Sequence, residues 1–184
     1  MRASKGSAFE REICKKLSLW WSSGKDDDIF WRSSQSGGRA TQRAKKGQTT
    51  YGSYGDIAAV NPIGEPLIKM FTIELKRGSS HGCPGDLLDF KEDNSKHPWM
   101  KCLKQAIKAH KAAGSKAWML ICRRDRRQAM VFIESRIFRL LRDNQPIAER
   151  GNVMSLYLTD VHLVGIGLEV FLKNITPAKI INQL

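Results

Sequence analysis

The chain reads as an α/β protein: a central mixed β-sheet flanked by helices, with a C-terminal αβ extension. Three observations carry that reading. Two stretches, 5–22 and 98–113, bring apolar side chains back at helical spacing. Several short runs, Phe71–Lys76 the clearest, are apolar at alternate positions or throughout, as strands are. The two kinds follow one another as α-β-β-β-α-β-β before further α and β segments, which favours one layered sheet over separate all-α and all-β units.

In residues 5–22, Phe9, Ile13, Leu17, Trp20 and Trp21 form the apolar stripe. Ser4 or Ser7 caps the start, and Ser22-Ser23-Gly24 ends the helix. Lys25–Asp28 is a solvated connection to a short strand, Ile29–Arg32. Ser33–Gly55 is rich in Gly, Ser and Thr, lacks periodicity and carries Arg39, Arg43, Lys45 and Lys46, so it reads as an irregular basic loop. Ile57–Val60 is strand-like, and Asn61–Pro66 reads as a hairpin turn leading back to Phe71–Lys76. A Gly- and Asp-rich loop spans 77–96. Pro98 then opens a helix that Gly114 stops, with Trp99, Leu103, Ala106, Ile107 and His110 on its apolar stripe. Ala117–Cys122 and Ala129–Ile133 are strands joined by the hairpin Arg123–Arg127. Ser135–Arg142 is a short helix, Val153–Leu158 and Leu163–Leu172 are strands, and Pro177–Leu184 is a terminal helix. The tryptophans and His110 on these stripes read as core, not as binding groups.

The 184 residues, 41% of them hydrophobic, suffice for one domain with a real core. Lys and Arg number 31 against 18 Asp and Glu, a net charge of +13 that is clustered rather than scattered. Such an excess favours a polyanionic partner, nucleic acid before membrane. Cys14, Cys83, Cys102 and Cys122 form no CxxC pair and read as reduced thiols of a cytoplasmic protein. His81-Gly82-Cys83 resembles half of a zinc site, but no second half is visible. No apolar run approaches the ~18 residues of a membrane span. The N-terminus also has no apolar core of an export signal.

The residues with chemistry to offer sit on Phe71–Lys76. Phe71, Ile73 and Leu75 point to one face, and Thr72, Glu74 and Lys76 to the other. A carboxylate and an ammonium therefore share a face of an otherwise apolar strand. A paired neighbouring strand would bring Asp56 near Glu74. Two carboxylates bind a hard divalent cation through oxygen. A lysine beside them can orient water and stabilise phosphate charge, as metal-assisted phosphodiester hydrolysis requires.

Lys5-Gly6-Ser7-Ala8-Phe9-Glu10-Arg11-Glu12, then Arg32, Ser36-Gly37-Gly38, Asp56 and Glu74-Leu75-Lys76, resemble in this order the PD-(D/E)XK nuclease superfamily. Within it they are most similar to the branch that resolves Holliday junctions. Trp99, Leu103-Lys104-Gln105-Ala106, Ala117–Cys122 and the Arg-rich hairpin look like versions encoded by phages and prophages. The resemblance covers residues 5–134, taken as the nuclease core, with 135–184 as the extension. It implies a restriction-endonuclease-like fold, the interior of a phage-infected, bacterial or archaeal cell, and Mg²⁺- or Mn²⁺-dependent cleavage of DNA by a homodimer. It further implies that Asp56 and Glu74 hold metal with the Leu75 backbone carbonyl, and that Glu10 completes the site, usually through water. Lys76 would be the catalytic lysine. Arg32 and Ser36 would contact DNA, and Gln105 would support the site or touch DNA. Glu12 falls off the buried stripe and reads as solvated. One departure stands out: Gly55 occupies the place of the Pro in the family's name. The alternatives are a restriction-type or nicking endonuclease on linear duplex, and a catalytically silent DNA-binding module.

For the basic loop, neutralising Arg39, Arg43, Lys45 and Lys46 together is expected to weaken DNA binding. The log–log slope of affinity against salt should flatten by about 0.9 for each phosphate that the protein no longer neutralises. Titration at several salt concentrations checks this, and an unchanged slope would make the tract a solvated insertion.

Overall fold

The computed structural model describes residues 5–33, 54–142, 153–158 and 161–184. Helix α1, Lys5–Trp21, buries Phe9, Ile13, Cys14, Leu17, Ser18 and Trp21 along one stripe. Ser7 lies inside it, and Ser4 lies outside the described residues. Strand β1, Phe30–Arg32, pairs antiparallel with β2, Ile57–Ala59. The Ser18 hydroxyl accepts from the Ile29 and Phe30 N–H groups, at 3.1 and 2.9 Å, and so fastens α1 to the start of β1.

The tract read as a hairpin turn is instead helical. Asn61 caps a 3₁₀ turn, Pro62–Gly64, which runs into α2, Glu65–Met70. Pro62 and Pro66 each sit in a first helical turn, where a fixed φ favours helix and the missing N–H costs nothing. Leu67 and Met70, three residues apart, bury the helix on the core. Strand β2 thus pairs with β1 and not with the strand that follows it.

That strand is β3, Phe71–Arg77. The loop after it is partly ordered by two 3₁₀ turns, Pro84–Leu88 and Asn94–Lys96. Helix α3, Pro98–Ala113, is capped by the His97 ring and stopped by Gly114 in the left-handed region. Then come β4, Ala117–Arg123; β5, Met130–Glu134; α4, Ser135–Arg142; β6, Val153–Leu158; and β7, Val161–Gly167. The single strand expected over Leu163–Leu172 ends at Gly167, and Leu168–Asn174 is helix α5. There Leu168 and Phe171 take helical spacing to reach the core, and Glu169 sits favourably in the first turn. Pro177–Ile181 is α6.

The main sheet runs β3-β4-β5-β7-β6, parallel between β3 and β4 and antiparallel elsewhere. Because β7 pairs with β5, the sheet continues past residue 134. Phe71, Ile73 and Leu75 join Ala117, Met119 and Ile121 in the core under α1. The opposite face carries Trp118, Leu120 and Cys122, packed with Trp99, Leu103 and Ala106 of α3. The tryptophans of the two helical stripes are structural, as their spacing suggested. Trp99 and Trp118 are fully buried, and the indoles of Trp20 and Trp21 donate to the Leu172 and Ile63 carbonyls. His110 is half-buried against the Ser115 hydroxyl at 3.0 Å. All four cysteines are free thiols. Burial pushes the Cys14 thiol up to about 12, so it stays protonated and inert. No helix among the described residues is long and apolar enough to cross a membrane.

Phe132 pairs across the ladder with Gly165, and a Cβ at Gly165 would sit 2.6 Å from the Phe132 ring. Gly165→Val is therefore expected to destabilise the fold by about 1–3 kcal/mol, the usual cost of overpacking. A lowered urea midpoint at unchanged slope is the check.

Candidate active site

Glu74 lies in the middle of β3 and is only 4% exposed. Its Oε2 accepts from Gln105 Nε2 of α3 at 2.9 Å and from Lys76 Nζ at 3.3 Å. Strand alternation puts Glu74 and Lys76 on one face, and helix α3 lies over that face. Gln105 therefore holds the Glu74 carboxylate from the helix above it.

Asp56 is docked on the free edge of β3. Its N–H donates to the Ile73 carbonyl at 2.8 Å, and its Oδ2 accepts from the Leu75 N–H at 2.7 Å. The Ser33 N–H holds the Asp56 carbonyl at 2.9 Å from the other side. Gly55 makes the approach possible. Its φ is +79°, and a Cβ there would lie 2.6 Å from the Ile73 carbonyl oxygen and 3.0 Å from Thr72 Cγ2. Proline, locked near −65°, cannot take this conformation. The departure from the family's name thus has a steric cause. Ser33, whose hydroxyl donates to the Gly55 carbonyl, is a supporting residue that the sequence reading missed. Nothing in its neighbours marked it out.

Backbone groups on alternate residues of a strand point to the same side. The Leu75 carbonyl therefore faces the same edge as the Ile73 carbonyl, beside Asp56. Burial pushes the Glu74 carboxyl above its ordinary range, and the Asp56 charge raises it further, while Lys76 opposes both. A buried carboxyl raised partly by its neighbour's charge, that neighbouring carboxylate and a carbonyl oxygen alongside make an all-oxygen donor set suited to a hard divalent cation. Such an ion would relieve the repulsion.

Glu10 does not join this pair. Its carboxylate accepts from Arg32 Nε, and both side chains are largely buried. Among the described residues no group of three or more His, Cys, Asp or Glu gathers as a metal site, His81-Gly82-Cys83 included. Arg32, expected on DNA, is thus engaged with Glu10. Glu12, expected to be solvated, is exposed and also forms a bidentate pair with Arg123 at 2.6 and 2.7 Å, and this guanidinium holds its carboxyl below the usual range. Arg123 also lies over the Phe9 ring at 4.6 Å, so this arginine of the hairpin braces α1. Arg77 pairs with Asp125 at 2.6 Å. Ser36, Arg39, Arg43, Lys45 and Lys46 lie outside the described residues.

A mixed sheet flanked by helices, carrying Glu-x-Lys on an edge strand with an aspartate docked against it, defines a restriction-endonuclease-like α/β protein. The family model described as "Phage putative PDDEXK endonuclease" matches residues 1–182, and the chain belongs to that family. The match runs beyond residue 134 and takes in β6, β7 and the last helices. No curated protein and no solved structure matches the chain.

Because the Glu74 carboxyl is raised in the fold, the native state holds its proton more tightly than the unfolded chain does. Its contribution to stability is fully present below the ordinary carboxylate pKa and is lost as pH rises through the raised value. Glu74→Gln keeps an acceptor for Gln105 and removes the buried charge. In metal-free buffer the variant should melt higher than wild type at neutral pH, with the gap closing in acid. Equal melting temperatures at pH 7 would contradict the burial argument.

Proposed function

We propose that the chain hydrolyses DNA phosphodiesters at the edge of β3, using Mg²⁺ or Mn²⁺. Asp56, Glu74 and the Leu75 carbonyl would hold the ion. The observation that carries this reading is the Asp56 carboxylate docked on the Leu75 N–H, one residue from a buried Glu74 paired with Lys76. When bound, such an ion lowers the pKa of a coordinated water and polarises the phosphate. The protein's own groups do the rest. Gln105 and Lys76 hold Glu74 in one orientation, and Gly55 and Ser33 hold Asp56. The Lys76 ammonium orients the attacking water and offsets charge on the phosphate. Glu10, held by Arg32, enters as an outer group acting through water. The net charge of +13 steers the polyanion to the site.

Branched DNA is the proposed substrate, cut by a homodimer whose two sites address two strands. The order of Glu10, Ser36, Asp56 and Glu74-Leu75-Lys76, which resembles the resolvases, supports this. So do basic groups in two regions, the 39–46 tract and Arg124, Arg126 and Arg127 beyond the site.

The decisive experiment compares a four-way junction with linear duplex of the same sequence, in Mg²⁺ and in EDTA. Cleavage of the junction, in Mg²⁺ only, is expected. If random linear duplex competes equally per base pair, the resolvase reading fails and an endonuclease of linear DNA takes its place. Asp56→Ala should abolish cleavage while DNA binding persists. Lys76→Ala should slow turnover by about 10²-fold or more, the ordinary range for removal of a proton-transfer group, with little change in metal affinity. Wild-type rates in Asp56→Ala would overturn the site.

A further inference from the structure

A cavity of about 360 Å³ opens on the same face of the sheet as Glu74 and Lys76. Its walls are almost wholly apolar, formed by Trp99, Phe132, Met130 and Met154 among others. Arg124, Arg127 and Gln128 of the β4–β5 hairpin frame it. This volume lies at the small end of the ~300–1,000 Å³ range of ligand sites. It has room for one planar ring system and its sugar, not for a duplex.

Three features point to what it takes. The Trp99 indole is fully buried, yet its N–H has no hydrogen-bond partner among the described residues. A buried donor left in that state is costly unless a ligand acceptor reaches it. Trp99 meets Phe132 edge to face at 5.4 Å, so a packed aromatic pair backs the wall. The pocket also touches the site: Cys122, part of its lining, lies directly across the parallel ladder from Lys76. Neighbouring strands are about 5 Å apart, so a phosphate at Lys76 has its attached nucleotide within reach of the pocket. The two arginines at the rim suit the flanking phosphates.

We infer that this pocket receives a single nucleobase turned out of the DNA stack beside the scissile phosphate. The inference rests on the DNA-cutting reading and narrows its substrate to DNA in which a base is unpaired or easily unstacked. Extruding a base costs least where pairing is already broken, as at a bulge or branch point. The apolar walls offset the loss of the neighbours that the base gives up.

Two measurements on the whole protein test this separately. In the first, made without metal, thymidine 5′-monophosphate is titrated while the Trp99 indole N–H resonance is followed, with 2-deoxyribose 5-phosphate as the base-free control. The nucleotide should shift the resonance and the sugar phosphate should not. No shift, or equal shifts, overturns the pocket. Met154→Trp, placed at the half-exposed mouth, should block the nucleotide. In the second, made with Mg²⁺, a duplex with one unpaired nucleotide is compared with the same duplex abasic at that position. The base-bearing bulge should be cut about tenfold faster, the factor that one stacked base supplies. Met154→Trp should erase that ratio. Equal wild-type rates overturn the inference while leaving the endonuclease intact. A Trp99 shift with no DNA cut at all overturns the endonuclease reading and assigns the pocket to free nucleotide.

Discussion

Everything at the candidate site depends on a two-point contact between Asp56 and the open edge of β3. The Asp56 backbone N–H meets one β3 carbonyl, and its side chain takes the next available β3 N–H. A hydrogen bond to a charged group is worth about 1.5–3 kcal/mol. Its larger effect is geometric, because it fixes a carboxylate beside Glu74 without a β-ladder between the two segments. The edge of β3 is also shielded from other chains by this contact. The small β1–β2 ribbon and the capped helix α2 serve as its scaffold, holding residues 54–60 against the main sheet.

The layout of charge around the site follows from that arrangement. Glu74 is buried, so its partners must be local, and Gln105 and Lys76 provide them. Arginines nearby are committed in pairs: Arg32 to Glu10, Arg77 to Asp125 and Arg123 to Glu12. Among the described residues, the basic surplus left over therefore lies farther out, at the tip of the β4–β5 hairpin.

Much of this was legible in the sequence, for physical reasons. The periodicity of Phe71–Lys76 announced both the strand and its polar face, since alternation leaves no other reading for a half-buried strand. Helices α1 and α3 were equally plain from their stripes, and Gly114 marked the end of α3. The tract Asn61–Pro66 was misread because Pro and Gly punctuate hairpin turns and helix starts alike. What decides between them is whether Leu67 and Met70 find a core, which is a tertiary matter. Leu163–Leu172 was misread because a run interrupted only by Gly165, Gly167 and Glu169 shows no clear period, and Gly167 was too slight a signal for a change to helix. The pairing of Glu12 with Arg123 spans distant parts of the chain, and nothing local could reveal it. The Asp56–Glu74 approach was anticipated, though through a hairpin that does not exist.

Among the described residues, strand β3 has one ladder partner, β4, and their pairing is parallel. A parallel pair cannot close through a tight turn, and here the chain must pass through α3 before β4 can align. Both carboxylates and the lysine are synthesised well before that partner exists. Forming the long crossover is the slow, entropically costly step in folding such a topology. A nascent chain therefore carries every reactive residue of the site yet has no ordered edge on which Asp56 can dock. The order of assembly delays the candidate site until the hydrophobic layers on both faces of the sheet have closed.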